Sequence, residues 1–252
     1  MILAVYDQEK IHDIVNGAPV VHVSFLPVSV EDDPFPTILP MLGCFGSFNQ
    51  PGSNETAAPA IYLHGHVSSR FMKLQTSTRA EDEGLPGIPV CVAATYMDGL
   101  VLALTPFNHS CNYRSAVVHG YASLVADPKE KMYGLELIMD NIISERWANT
   151  RVPPTEAEMK STSVIRVDVV SASAKIRAAA AGNDKADLED VEMRKKVWNG
   201  VIPAFLKYGE PIPGVENMVN EVPPYLKGWI QQQNAKSEAY ATKVATNKYP
   251  SK

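Results

Sequence analysis

Hydrophobic positions along this chain follow two periods, and the stretches where they change mark out its elements. Val20 to Leu26 alternates around His22 and Ser24, Thr37 to Leu42 is a short apolar run, and Ala60 to Leu63 is apolar throughout. Each predicts a strand, and the acidic segment Glu31-Asp-Asp-Pro-Phe-Pro between the first two supplies the turn. Pro89 to Met97 and Leu100 to Leu104 are two further β-rich runs, with Asp98-Gly99 between them predicting a hairpin. Arg114 to Val125 and Val164 to Val170 complete the strand set, and Gly120 marks a bulge or a close backbone approach.

Helical spacing is found elsewhere. Ile11, Ile14 and Val15 follow Asp7 and stop before Gly17 and Pro19. Asp127-Pro-Lys-Glu is a strong helix start, and Met132, Leu135, Ile138, Met139, Ile142 and Ile143 trace one face, so a helix is expected over Pro128 to Ile143. Thr155-Glu-Ala-Glu opens a short helix, and Asp187 to Trp198 reads as one charged helix. Two stretches are polar or rich in turn residues: Gly43 to Pro59, expected as a surface insertion, and Thr78 to Gly87. Ser173-Ala-Lys-Ile-Arg stands out as a compact basic segment, and the end of the chain from Gln231 is Lys-, Ala- and Gln-rich, expected exposed and either helical or disordered. Strands joined by hairpins, with no regular strand-helix alternation, predict an α+β fold, mainly β: an antiparallel barrel with added helices. The expected division is a barrel domain over 1–205 and a C-terminal tail over 206–252.

Composition narrows the function. A net charge of -5 argues against non-specific nucleic-acid binding, and no apolar run reaches membrane-spanning length. The N-terminus has no charged region followed by a long apolar one, and the three cysteines, Cys44, Cys91 and Cys111, lie far apart with no Cys-x-x-Cys pair. A cytoplasmic location is expected. The dinucleotide glycine fingerprint, the phosphate-binding loop of nucleotide triphosphatases, the nucleophile elbow and the zinc-protease motif are all missing from the sequence.

Two polar clusters remain. The first is His64-Gly-His-Val-Ser-Ser-Arg with Lys73, which follows an apolar strand and runs into a helix start. Hydroxyls of Ser68 and Ser69 beside the Arg70 guanidinium suit a phosphate; the plainer reading makes Ser68 an N-cap and Arg70 a solvated first-turn residue. The second is Asn108-His-Ser-Cys-Asn-Tyr-Arg-Ser, where Tyr113 and Ser115 share one strand face and Arg114 takes the other. Together the clusters suit one phosphorylated, planar ligand; alternatively, Tyr113 and Arg114 staple a loop. His64 and His66 share a face if the strand continues through Gly65, which suits a ligand-pocket histidine or a haem ligand, but no carboxylate or cysteine completes a metal set.

His64-Gly-His-Val-Ser-Ser-Arg, Asp98-Gly-Leu-Val-Leu-Ala, Asn112-Tyr-Arg-Ser-Ala-Val-Val-His-Gly-Tyr-Ala and Asp127-Pro-Lys-Glu-Lys, in that order, resemble the flavin-nucleotide-binding branch of the pyridoxamine 5'-phosphate oxidase-like family, which includes the nitroimidazole-resistance (Nim) proteins. The resemblance spans about Asp7 to Pro203. It implies a split antiparallel β-barrel of the FMN-binding type, a homodimer with FMN at the subunit interface, and reduction by a nicotinamide nucleotide or a partner. Ser69 and Arg70 match the family's Ser-Arg pair near the flavin phosphate, and His64 matches the histidine ending the preceding strand. The usual oxidase pattern has Lys after that Arg, whereas Phe71 stands here and Lys73 follows two positions later.

The expected function is an FMN-dependent oxidoreductase acting on a small organic substrate. Ser68, Ser69, Arg70 and Lys73 are expected to hold the phosphate, Tyr113, Arg114 and Ser115 to complete the cradle, and His64 or His66 to face the flavin or substrate and donate a proton. The competing expectations are a haem-binding or haem-handling protein using His64 or His66, and a flavin-binding module without turnover.

Overall fold

The computed structural model describes residues 3–27, 35–49, 58–75 and 84–249. Nine strands form one sheet with the hydrogen-bonded order β3-β2-β6-β7-β8-β5-β4, with β1 beside β8 and β9 beside β6. In chain order they are β1 (Leu3–Val5), β2 (Val21–Phe25), β3 (Thr37–Met41), β4 (Gly43–Gly46), β5 (Ala60–His66), β6 (Ile88–Leu102), β7 (Ser110–Leu124), β8 (Thr162–Arg177) and β9 (Gly200–Pro203). The pairs β2–β3, β2–β6, β4–β5, β5–β8 and β6–β9 are antiparallel. Among the described residues seven α-helices accompany them: α1 (Gln8–Gly17), α2 (Arg70–Gln75), α3 (Pro128–Ile142), α4 (Glu156–Ser161), α5 (Lys185–Glu189), α6 (Val191–Lys196) and α7 (Pro224–Ala245).

Contacts divide the chain into two compact units. Unit I comprises Val5–Ala94 and Ser115–Ala174; unit II comprises Met1–Ala4, Thr95–Arg114 and Lys175–Lys252. Unit I has a core on each face of β5. Ile61 and Leu63 lie on one face and are fully buried, as are Val21 and Val23 of β2, Val92 of β6 and Val118 of β7. Tyr62 lies on the other face, in a cluster with Cys44, Ala60, Leu135, Ile138 and Val164 that α3 covers. Burial of both faces is why Ala60 to Leu63 reads as a continuous apolar run. The start signals work as the sequence implies: Asp7, Asp127 and Thr155 each accept backbone N–H groups, and Thr155 with Glu158 forms a complete capping box.

Several expectations are corrected. Asp98-Gly99 is not a hairpin turn, because β6 continues through it as a single 15-residue strand. Gly99 pairs with Pro203 of β9, and a Cβ there would sit 2.9 Å from the Ile202 carbonyl, so this glycine permits close strand approach rather than a reversal. Gly43 to Pro59 is not simply a surface insertion: its first residues form β4, with Cys44 and Phe45 buried, while residues 50–57 lie outside the described residues. The basic segment Ser173 to Arg177 is the end of β8. Asp187 to Trp198 divides into α5 and α6 because Asp190 interrupts the helix and accepts the Met193 N–H at 2.9 Å as a new cap. The strand expected from Arg114 starts earlier, at Ser110, so Tyr113 also lies within β7. Most of the acidic turn after β2 (residues 28–34) and of the polar stretch after α2 (76–83) falls outside the described residues. Much of the C-terminal stretch is helical, in α7, with Ala241 and Val244 buried.

Candidate functional site

The first cluster forms one compact turn in unit I. β5 extends through Gly65 to His66, so Tyr62, His64 and His66 share a face, and His64 lies opposite Val164 in the ladder. Gly65 faces the other way, where a Cβ would lie 3.0 Å from Met72 Cε. The turn then closes: Ser69 N–H donates to the His66 carbonyl at 2.9 Å, and α2 starts at Arg70.

Hydrogen bonding gives each side chain here a distinct state. The Ser68 backbone N–H donates to His66 Nδ1 at 3.2 Å, and Ser68 Oγ lies 2.7 Å from the same nitrogen. A backbone donor at Nδ1 makes that atom an acceptor, so the neutral ring carries its proton on Nε2. His66 is exposed and therefore presents an N–H donor to solvent. Ser69 Oγ accepts the Met72 N–H at 3.4 Å, so Ser69 rather than Ser68 caps the start of α2, which leaves the Ser69 hydroxyl hydrogen for another acceptor. His64 differs from both: its Nδ1 is buried and has no hydrogen-bond partner among the described residues. A buried ring nitrogen of this kind lacks a partner that a bound group can supply.

Phe71 explains the departure from the family's usual lysine. It is fully buried and stacks on Phe25 of β2, with ring centroids 4.6 Å apart. Burying such a ring contributes about 1.5–3 kcal/mol. The position after Arg70 therefore anchors α2 to the core, and the nearby positive charge stands on exposed Lys73 instead.

The second cluster is divided between the units, with Ser115 in unit I and Tyr113 and Arg114 in unit II. Arg114 is engaged by Asp98: Nε donates to Oδ2 at 3.0 Å and Nη2 to Oδ1 at 2.8 Å. Its guanidinium also lies over the Tyr96 ring at 4.5 Å and over the Tyr240 ring of α7 at 3.9 Å. Burial pushes the Tyr96 phenol up to about 12 and raises that of Tyr240. Tyr113 instead has the Lys175 ammonium 6.0 Å from its ring centroid. The structure thus gathers His64, His66, Ser68, Ser69, Arg70 and Lys73 on one turn and gives Arg114 a carboxylate partner of its own.

Sequence reasoning left out a cleft of about 380 Å³ in unit I, lined mainly by apolar side chains together with Ser24, Cys91, His119 and Tyr121. These residues alternate with core positions on β2, β6 and β7, so they emerge on the outer side of the same strands. His119 and Tyr121 lie in the block Val-Val-His-Gly-Tyr-Ala, and their alternation with buried Val118, Gly120 and Ala122 was the available signal. Burial raises the Cys91 thiol above its ordinary value. Among the described residues no group of three His, Cys, Asp or Glu side chains is placed to hold a metal ion, and no helix is long and apolar enough to cross a membrane.

A sequence model described as pyridoxamine 5'-phosphate oxidase matches residues 7–176. Among solved structures, the flavocytochrome Anf3 from Azotobacter vinelandii is 26% identical, with a TM-score of 0.69 over 90% of this chain and 92% of that one. The FAD- and haem-binding protein from Mycobacterium smegmatis is 23% identical, with a TM-score of 0.70 over 90% of this chain and 97% of that one. A candidate 5-nitroimidazole antibiotic resistance protein from Bacteroides thetaiotaomicron is 19% identical, with a TM-score of 0.49 over 70% of this chain and 87% of that one. No match is found among curated proteins. The fold is the expected split antiparallel β-barrel with added helices.

Proposed function

The chain belongs to the pyridoxamine 5'-phosphate oxidase family, and on that premise we propose that it is an FMN-dependent oxidoreductase acting on a small organic substrate, reduced by a nicotinamide nucleotide and assembled as a homodimer. The observation that carries this reading is the β5–α2 turn, where Ser69 and Arg70 stand five and six residues after His64, whose buried Nδ1 lacks a partner among the described residues. The donor set fits a flavin nucleotide. Arg70 and Lys73 supply positive charge for a phosphate, the Ser69 hydroxyl supplies a hydrogen-bond donor, and His64 supplies a ring nitrogen for the planar part of the ligand.

A bound flavin supplies hydride and electron transfer. The chain's own residues bind and orient it and manage protons. Ser68 holds the His66 ring through Nδ1, so His66 donates a hydrogen bond from its Nε2–H to a substrate anion or to the edge of a bound ring. Arg114 is held by Asp98, and the cradle proposed here takes its positive charge from Arg70 and Lys73.

One second reading has specific support. Anf3 is named a flavocytochrome and the M. smegmatis protein is named for FAD and haem, and a buried imidazole nitrogen without a partner suits an axial ligand as well as a hydrogen bond. The absorbance spectrum of the protein as purified separates the two. The flavin reading expects the visible bands of oxidised flavin, bleached by a reduced nicotinamide nucleotide. An intense Soret band that disappears in His64→Ala supports haem, and a colourless protein that takes up neither group refutes both.

A further inference from the structure

The basic segment at the end of β8 has no part in the proposed flavin site, and its arginine is unusual among the buried groups of unit II. Arg177 is only 8% exposed, yet no carboxylate lies within ion-pairing distance among the described residues. Its partners are three carbonyl-type oxygens. Nη1 donates to Asn112 Oδ1 at 2.6 Å and to the Ala179 carbonyl at 3.1 Å, and Nη2 donates to the Ala180 carbonyl at 3.1 Å. Tyr249 lies 5.9 Å away in cation–π geometry, seated against Gly182, where a Cβ would meet its ring at 2.7 Å. These groups offer partial negative charge, while a buried guanidinium calls for a formal one.

The unused donors lie on a defined edge. Arg114 holds Asp98 through Nε and Nη2; on Arg177 the same Nε–H and the second Nη2–H have no partner among the described residues. Asn112 adds to the surplus. It is 0% exposed, its Oδ1 is fixed by two donors, Arg177 and the Ala179 N–H, and its buried Nδ2 has no partner. Exchanging the amide's oxygen and nitrogen would break both of those bonds, so the orphan is a true N–H donor. Unit II thus carries a largely buried cation with no formal counter-charge among the described residues and, beside it, a buried amide donor with no acceptor.

We propose that Arg177, with Asn112 beside it, forms an oxyanion-binding site in unit II that takes a carboxylate or phosphate group on the Nε/Nη2 edge of the guanidinium. Both groups present paired oxygens that match this edge. The site lies outside the residues assigned to the flavin and does not depend on that reading. It is tested by isothermal titration of the full chain, as purified, with inorganic phosphate and separately with acetate, at constant ionic strength. At least one anion is expected to bind saturably in the wild type and in Arg70→Ala, and about tenfold or more weaker in Arg177→Gln. Binding of phosphate alone or of acetate alone assigns the class. No saturable heat from either anion up to about 10 mM, where even a millimolar site fills, overturns the proposal. Binding lost in Arg70→Ala and kept in Arg177→Gln also overturns it, and assigns the anion to the flavin-phosphate turn. If Arg177→Gln fails to fold, wild-type crystals soaked in selenate decide: anomalous density within hydrogen-bond distance of Arg177 Nε supports the site, and its absence there refutes it.

Discussion

Replacing Asp98 with Asn tests whether this residue is the buried counterion that the structure makes it. Asp98 is 4% exposed, and it holds Arg114, whose side chain is 25% exposed, by two hydrogen bonds of 3.0 and 2.8 Å. Removing one partner of a fully buried pair costs about 3–5 kcal/mol. Here asparagine keeps the shape and one acceptor, and the partly exposed guanidinium recovers some water, so the expected loss is about 2–3 kcal/mol. For a chain of this size each kcal/mol moves the melting temperature by about 2–4 °C, which predicts a fall of about 5–10 °C. Thermal and urea denaturation followed by circular dichroism read this directly. A double-mutant cycle with Arg114→Met isolates the pair and is expected to give a coupling above about 1 kcal/mol. Because Arg114 also lies against Tyr240, α7 is expected to lose amide protection first in Asp98→Asn. A change below about 0.5 kcal/mol, the ordinary range for a surface substitution, or additive single mutants, would show that Asp98 carries no structural charge pair.

Other consequences are as specific. Gly120→Ala places a Cβ against the Asp168 carbonyl and 2.9 Å from Val167 Cγ1, and is expected to destabilise the fold by about 1–3 kcal/mol; an unchanged urea midpoint would contradict this close approach. Stability is expected to fall as pH rises from about 9 to 12. Burial pushes the Cys44 thiol from 9.0 and the Tyr96 phenol from 10.0 up to about 12, and raises Tyr62, Tyr133, Tyr208 and Tyr240, so in that window the folded chain retains protons that the unfolded chain has released. Melting temperatures that stay level across this range would refute the assignment. Phe71→Lys, which restores the family's usual residue, buries an ammonium where the ring stacks on Phe25 and is expected to abolish cooperative unfolding; a soluble, cooperatively folded variant would show that α2 does not depend on this anchor.

The parts of this fold that the sequence announces are those whose signals are local. Asp7, Asp127-Pro128 and Thr155 start helices because capping depends on the next three residues, and the β5–α2 turn is legible because an apolar run meets Gly65, two serines and Arg70 in a row. What stayed hidden depends on partners distant in sequence. Asp98-Gly99 carries the chemistry of a tight turn, but Arg114 neutralises the aspartate and β9 needs the glycine for close approach, so the strand continues. Gly43-Cys-Phe-Gly looks like the start of a loop until β5 pairs with it. Arg114 and Arg177 were equally basic in sequence, and only the fold gives one of them a carboxylate and leaves the other with carbonyls. The outer cleft was hidden for a similar reason: His119 and Tyr121 alternate with core residues and share no motif with Ser24 or Cys91.

Titration of FMN into wild-type protein and Arg70→Ala, read by flavin absorbance and fluorescence, tests most directly whether the β5–α2 turn holds a flavin phosphate. The wild type is expected to bind FMN at micromolar concentration. Loss of a charge-assisted phosphate contact, about 1.5–3 kcal/mol, is expected to weaken binding by about 10- to 150-fold in Arg70→Ala with little change in melting temperature of the flavin-free protein. Equal FMN affinity in the two proteins, or a wild type that binds no FMN, would contradict that placement.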